Sequence, residues 1–413
     1  MPLQFFPIRR NEYTPRTIYP FIVIPLLALV LVAGTLTLYL KDFAHAAPTD
    51  TPVPLPGTIP PLLAHSKLDG PTNPNQTISL SIGLRLRNAA TLKNYVEDIS
   101  RPKSVNFHRY LTPAQVTQAF APRKVTYDAV LQYLQNAGFS IVHTYKHRML
   151  ISFTGTVGLS EQVFHIAINN YTAPNGETFY SNNSDPLLPA SFVGEVQVIN
   201  GLNNAVHWHH APLSRRSLPA QTSNPNSNAV TCLGHGSGYY TPDQTASAYN
   251  LNGLYNSGYN GEGQTLALFE LATFQIGDLT TYASCYGHSH TPIYTVVSHG
   301  PVPTDSGVLE VELDAELVLS AAPKLGQLKI YEASNDGTGY NDEWAQIIQD
   351  DPPVVSTSWG SCEADLGQSE AAYENNNFFM VAAAQGQSVF AASGDTGSSG
   401  CLRGSGSQAL SAG

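Results

Sequence analysis

The sequence predicts two folded domains in tandem, an α+β domain with an antiparallel sheet followed by an α/β domain with a parallel sheet. Three observations lead there. At 413 residues and 42% apolar composition the chain can bury more than one core. A turn-rich stretch without apolar periodicity, APLSRRSLPAQTSNPNSNAV at residues 211–230, divides it. The spacing of strand and helix signals also changes across that stretch.

Before the first domain, residues 17–40 carry no charge and follow Arg9, Arg10 and Arg16. Such a run enters a membrane with its N-terminus in the cytoplasm. Residues 1–46 are expected to be a signal peptide, with Ala44-His45-Ala46 as cleavage site, or a retained anchor. Either way the remainder is exported, to the extracellular side or the outer face of the membrane. Residues 47–76, rich in Pro and Thr, read as an extended spacer.

The first domain spans 77–210. In TISLSIGLRLRN, Ile78, Leu80, Ile82, Leu84 and Leu86 alternate, which predicts a half-buried strand. Thr112-Pro113 starts a helix ending near Ala121-Pro122, and TYDAVLQYLQNAG gives a second that stops at Gly138. SIVHTYKHRMLISFTG reads as paired strands, SEQVFHIAINNY as a helix and EVQVINGL as a last strand. This mixture suggests a ferredoxin-like α+β fold with an antiparallel sheet.

In the second domain, 231–413, the strands QTLALFE, GQLKIYEA, PPVVSTSWG and QSVFAASGD alternate with helices at NDEWAQIIQD and from about Ser369 to Gln385. That pattern predicts a parallel sheet covered on both faces, with reactive groups where strands end. Cys232, Cys285, Cys362 and Cys401 lie here, and export favours disulfides over metal, with three pairings open.

Residues 307–323, GVLEVELDAELVLSAAP, set four carboxylates at alternate positions. The composition and Pro323 favour a helix over a strand. A helix then pairs Glu310 with Asp314 and Glu312 with Glu316 on nearly opposite sides. A buried pair of this kind shares a proton, so one member can act as base while the other orients it. Glu310 and Asp314 are taken as the proton-handling pair, and Glu312 and Glu316 as structural or solvated. Asp395 follows a strand between Gly394 and Gly397, where a protonated acid could donate to an oxyanion.

Only 12% of residues are charged. Residues 1–216 balance at +6 and residues 217–413 at −17, so the halves attract at neutral pH. The basic charges are scattered rather than clustered with aromatics, which excludes a nucleic-acid interface.

The ordered set LEVELD, VSTSWG and FAASGDTGS resembles the serine-carboxyl peptidases, the sedolisin family, and especially its kumamolisin-like members. HRYLTPAQVTQAFAP, HRMLISFTGT and EQVFHIAINNY look like that family's activation propeptide, and YTPDQTASAYNLNGLYNSGYNGEGQTLALFE like the start of its mature domain. The resemblance implies a secreted zymogen whose mature domain is subtilisin-like and cleaves peptide bonds in proteins at acidic pH. Residues 77–210 would be the propeptide and intramolecular inhibitor, 211–230 the processing linker with Arg215-Arg216, and 231–413 the N-terminal part of the peptidase. Glu310 would be the general base, Asp314 its orienter and Asp395 the oxyanion donor. Glutamate suits acid conditions, where an imidazole would be charged and useless as a base.

The family's serine lies in a Gly-Thr-Ser-x-x-x-Pro segment, and no Gly-Thr-Ser occurs here. That segment and the family's calcium site are therefore expected beyond Gly413, the chain being a truncated form, with no cofactor in these residues. Ser356, Ser358 and Ser398 are not assigned the role. The alternative is a non-catalytic propeptide-like binding or inhibitor protein. Acidification is expected to loosen the propeptide as carboxylates protonate, helped by His207, His209 and His210.

Overall fold

The computed structural model describes residues 51–209, 232, 234, 240–286, 293–299, 302, 307–361 and 366–394. The 17–40 run, Arg215-Arg216, Cys362, Cys401 and Asp395 lie outside these. No helix among the described residues is long and apolar enough to cross a membrane.

Residues 51–71 are not an extended spacer. Strand β1 (Pro52–Pro54), a 3-10 turn at Pro61–His65 and β2 (Lys67–Pro71) are built into the first domain. Asp185 holds this stretch by accepting from the backbone N–H groups of Gly57 and Thr58. Pro and Thr suit an edge strand as well as a linker, so composition alone could not separate the two.

The first domain continues with β3 (Thr77–Leu84), α1 (Ala89–Ile99), α2 (Pro113–Ala119), α3 (Lys124–Ala137), β4 (Ser140–Thr144), β5 (Leu150–Thr156), α4 (Val157–Phe164), β6 (Ile168–Thr172), β7 (Thr178–Asn182), β8 (Leu187–Pro189) and β9 (Val196–Asn200). The main sheet is antiparallel in the order β4-β5-β3-β9. A helical crossover separates β3 from β4 and α4 precedes β9, as in a split β-α-β unit. Helix α2 starts at a capping box between Thr112 and Gln115, and α3 ends at Gly138 with φ of 101°.

The segment SEQVFHIAINNY is not one helix. It ends at Phe164, His165 takes the left-handed conformation, and Ile168–Thr172 becomes a strand. The β-branched Ile168 and Thr172 pair with β7 and β2, and this pairing outweighs local helical preference. The sequence carries no clear signal for helix α1, its apolar positions being too few.

The second domain comprises α5 (Pro242–Ala248), α6 (Asn252–Asn256), β10 (Thr265–Glu270), α7 (Ile276–Cys285), β11 (Ile293–His299), α8 (Val308–Ala321), β12 (Gln327–Ala333), α9 (Gly337–Asp350), β13 (Val354–Thr357), α10 (Gln368–Tyr373), a π-helical stretch (Glu374–Phe379), α11 (Met380–Gln385) and β14 (Ser388–Ala391). The sheet is wholly parallel in the order β11-β12-β10-β13-β14. From β10 the chain first builds to one side and then crosses to the other, so the crevice at the carboxyl end of β10 is a topological switch point. A Cys232–Cys285 disulfide joins the start of this domain to α7.

From Leu80 onward strand β3 is buried on both faces. Ile78, Leu80, Ile82 and Leu84 face the core under α3, whereas Ser79, Ser81 and Gly83 lie against α9 and α10 of the second domain. The small residues permit a close approach: a Cβ on Gly83 would meet the Tyr373 ring at 2.6 Å. Apolar side chains from both domains, among them Met149, Leu150, Val198, Tyr340, Trp344 and Tyr373, form one continuous cluster.

Candidate functional site

Residues 308–321 form a helix, as the composition implied, and it carries Glu310 and Asp314 to the carboxyl end of β10. Glu310 is buried, with 3% of its surface exposed. The last residue of β10 is Glu270, fully buried. Just past β13, Ser358 donates its hydroxyl to Asp314 Oδ1 at 2.9 Å, and the Trp359 indole donates to Glu270 Oε2 at 2.8 Å. The end of β10 and helix α8 thus bring three carboxyls close together.

Two of the carboxyls lie against each other. Glu270 and Asp314 are in hydrogen-bonding contact. Burial first, then the Asp314 charge, pushes the Glu270 carboxyl far above its ordinary range, while the Trp359 bond opposes this. Burial also raises Asp314, moderated by its bonds to Ser358 and Glu270. Of the two, Glu270 is pushed further up, so the protonated form of Glu270 donating to Asp314 is the favoured arrangement. Asp314 thus has a neighbouring acid that its helix spacing does not announce, 44 positions earlier in the chain. Glu343 on α9 is likewise buried and held neutral by desolvation and by the nearby Glu270 and Glu332.

Glu312 and Glu316 lie on the other side of α8, near Asp278 of α7. Burial, then Glu312 and Asp278, raises Glu316 to about 7, and burial raises Glu312, whose Oε1 accepts from the Gln275 backbone at 3.4 Å. They form an outer acidic cluster separate from the inner one. Sequence reading missed Glu270, Ser358 and Trp359. The available signal was an acid at the last position of an apolar strand, in TLALFE.

The first domain packs against the second through α9, α10 and α11. Tyr145 donates to Asp342 Oδ1 at 2.7 Å and Ser152 donates to the same oxygen. His147 Nε2 donates to the Ala345 carbonyl at 2.9 Å while its Nδ1 accepts from the Met149 N–H at 3.1 Å. Tyr373 donates to the Met149 carbonyl at 2.7 Å, and Asn200 donates to Glu370 at 3.2 Å. Burial raises Asp342 to about 6 and Glu370 to about 7. It pushes His147 down to about 4.

The ion pairs Lys67–Asp69, Arg101–Asp98, Lys124–Asp128, Lys324–Glu262 and Lys329–Asp350 each lie within one domain. Burial raises the interface acids Asp342 and Glu370, so acidification eases their burial, and the lowered His147 opposes it. Of the VHWHH histidines, His207 donates Nδ1–H to the Asn335 carbonyl at 2.9 Å, His209 pairs its backbone with Gly360, and His210 lies outside the described residues. Among the described residues no group of three or more His, Cys, Asp or Glu side chains has the arrangement to hold a metal ion.

Residues 64–205 match the family model described as Pro-kumamolisin, activation domain. The chain is 28% identical over 333 residues to xanthomonalisin from Xanthomonas sp. (strain T-22), covering 78% of this chain and 39% of the relative. It is 26% identical over 333 residues to sedolisin from Pseudomonas sp. (strain 101), covering 78% and 54%. To kumamolisin from Bacillus sp. (strain MN-32) it is 26% identical over 341 residues, covering 80% and 59%. The chain therefore spans between 39% and 59% of the length of these relatives. The matched activation domain, the parallel α/β domain behind it and the acids on α8 agree with the similarity of the chain to serine-carboxyl peptidases of the sedolisin family.

Proposed function

We propose that this chain is part of the precursor of an exported, acid-acting serine-carboxyl endopeptidase that hydrolyses peptide bonds in proteins, its second domain being part of a subtilisin-like fold. The observation that carries the reading is the group of Glu310, Asp314 and Glu270 gathered at the carboxyl end of β10, with Asp314 held by Ser358 and Glu270 by Trp359.

In this reading Glu310 accepts the proton of a serine hydroxyl as the serine oxygen attacks the peptide carbonyl. It then returns that proton to the leaving amine, and water hydrolyses the resulting ester by the same route. Asp314 orients Glu310, while the proton on Glu270 and the Ser358 hydroxyl fix the lone pairs of Asp314. Asp395, kept protonated in acid, donates to the oxyanion. The serine is not assigned to any of the 413 residues, and the family's calcium is assigned to none of these acids. The activation domain, packed on α9 to α11, holds the precursor inactive.

The test is hydrolysis of denatured protein at pH 3–5 by the product of the complete open reading frame. Glu310→Gln should abolish turnover while thermal unfolding stays unchanged. Full activity in that variant would remove Glu310 from the base role, and no hydrolysis by the unsubstituted product would return the chain to the non-catalytic binding reading.

A further inference from the structure

At the end of β4 and just beyond it, alternate side chains of the first domain reach the second. Tyr145 and His147 bond to Asp342 and Ala345 of α9, and His143, two residues before Tyr145, meets His299, the last residue of β11. A bulge between Ile141 and His143, in the pairing of β4 with β5, sets that direction. The two imidazoles pack edge to face across the domain boundary, with centroids 5.1 Å apart and 76° between planes. Acids flank them, Asp342 acting on His143 and Asp350 on His299.

His299 is 7% exposed, and its Nδ1 is buried without a hydrogen-bond partner. A buried nitrogen left in that state is costly and calls for a ligand. Burial first, then the neighbouring His143, pushes His299 down to about 4 against the pull of Asp350, so the ring is neutral and keeps a lone pair at pH 7. His143 is half-buried, which leaves water a way in from its side. An ion bound tetrahedrally at about 2.0–2.1 Å from two imidazole nitrogens sets the ring centroids about 5 Å apart, the separation found here. Imidazole nitrogen selects zinc and copper over magnesium and calcium, which take oxygen.

We propose that His143 and His299 form a site for a divalent transition-metal ion, Zn²⁺ or Cu²⁺, that clasps the activation domain to the second domain, with water completing the coordination. It is an open two-ligand clasp, not the group of three or more ligands that the described residues lack. Because one ligand comes from each domain, the bound ion stabilises only their packed arrangement, and its effect grows with free metal concentration. The clasp needs the two domains packed and does not depend on turnover.

The test titrates the full chain, first stripped of metal by a chelator, with zinc chloride at pH 7 and follows thermal unfolding, with magnesium chloride as the control. The unfolding midpoint should rise with each tenfold increase in free zinc, and magnesium should leave it unchanged. His143→Gln and His299→Gln should each abolish the rise, whereas Gln at His207, His209 and His210 together should preserve it. Copper(II) chloride in place of zinc should give an electron paramagnetic resonance spectrum split by two imidazole nitrogens, and either Gln variant should lose that splitting. Both variants are compared with the parent in the absence of metal, and if His299→Gln does not fold, His143→Gln and the copper spectrum decide. The proposal is overturned if zinc gives no rise, if the rise survives substitution of His143 or His299, or if it disappears with the His207, His209 and His210 group.

Discussion

Asp342→Asn tests whether the interface acids hold protons. Asp342 is 5% exposed and accepts from the hydroxyls of Tyr145 and Ser152 across the domain boundary. Burial raises its carboxyl from 3.8 to about 6 against the lowering effect of those two bonds and of His143. A raised acid is easiest to bury when protonated, so its penalty is absent below the unfolded value and grows as pH rises from there through the folded one. A rise of that size destabilises the folded chain by about 3 kcal/mol at pH 7.5, falling below about 1 kcal/mol by pH 4. The amide keeps an acceptor for both hydroxyls and never ionises. Denaturant unfolding of the full chain should show the variant more stable by up to about 3 kcal/mol at pH 7.5 and near parity at pH 4. A variant less stable by a constant amount at every pH would mean that the carboxylate is ionised and needed, and would refute the reasoning.

His147 gives the opposite slope. With a folded value of about 4 against 6.5, its contribution is complete above pH 6.5 and is lost as pH falls toward 4. His147→Gln should therefore reduce acid-induced unfolding between pH 7 and 4 by up to about 3 kcal/mol, read by the same titration. Gly83→Ala would drive a Cβ to 2.6 Å from Tyr373 and 2.7 Å from Val198, and should cost about 1–3 kcal/mol while making the 207–209 segment more susceptible to added protease. Replacing Cys232 and Cys285, which are 53 positions apart, by Ser should lower stability by about 4 kcal/mol on loop-closure entropy, measured by thermal unfolding in the absence of reductant.

Local chemistry made much of the architecture legible. The Thr112 to Gln115 capping box, the stop at Gly138 and the apolar strand runs ending at Glu270, Ala333 and Thr357 are near-neighbour effects, so sequence marks them. The i, i+4 spacing of Glu310 and Asp314 belongs to the same class. The segment 168–172 reads locally as helix but folds as a strand, because its stabilising partners lie on β2 and β7, distant in sequence.

The two-domain order, the helix that carries Glu310 and Asp314, and the alternation that makes a parallel sheet are legible along the chain, because each depends on residues within a turn or two. Where Asp314 meets Glu270 and where Trp208 is held depend on contacts that form only in the folded molecule. Glu270, Asp314, Ser358 and Trp359 come from a strand end, a helix and a loop that meet only when the sheet closes. Trp208 finds Asn335 and Tyr340 by the same closure. The reason is physical: desolvation and carboxyl-to-carboxyl contact depend on distance in space, and no spacing along the chain encodes it.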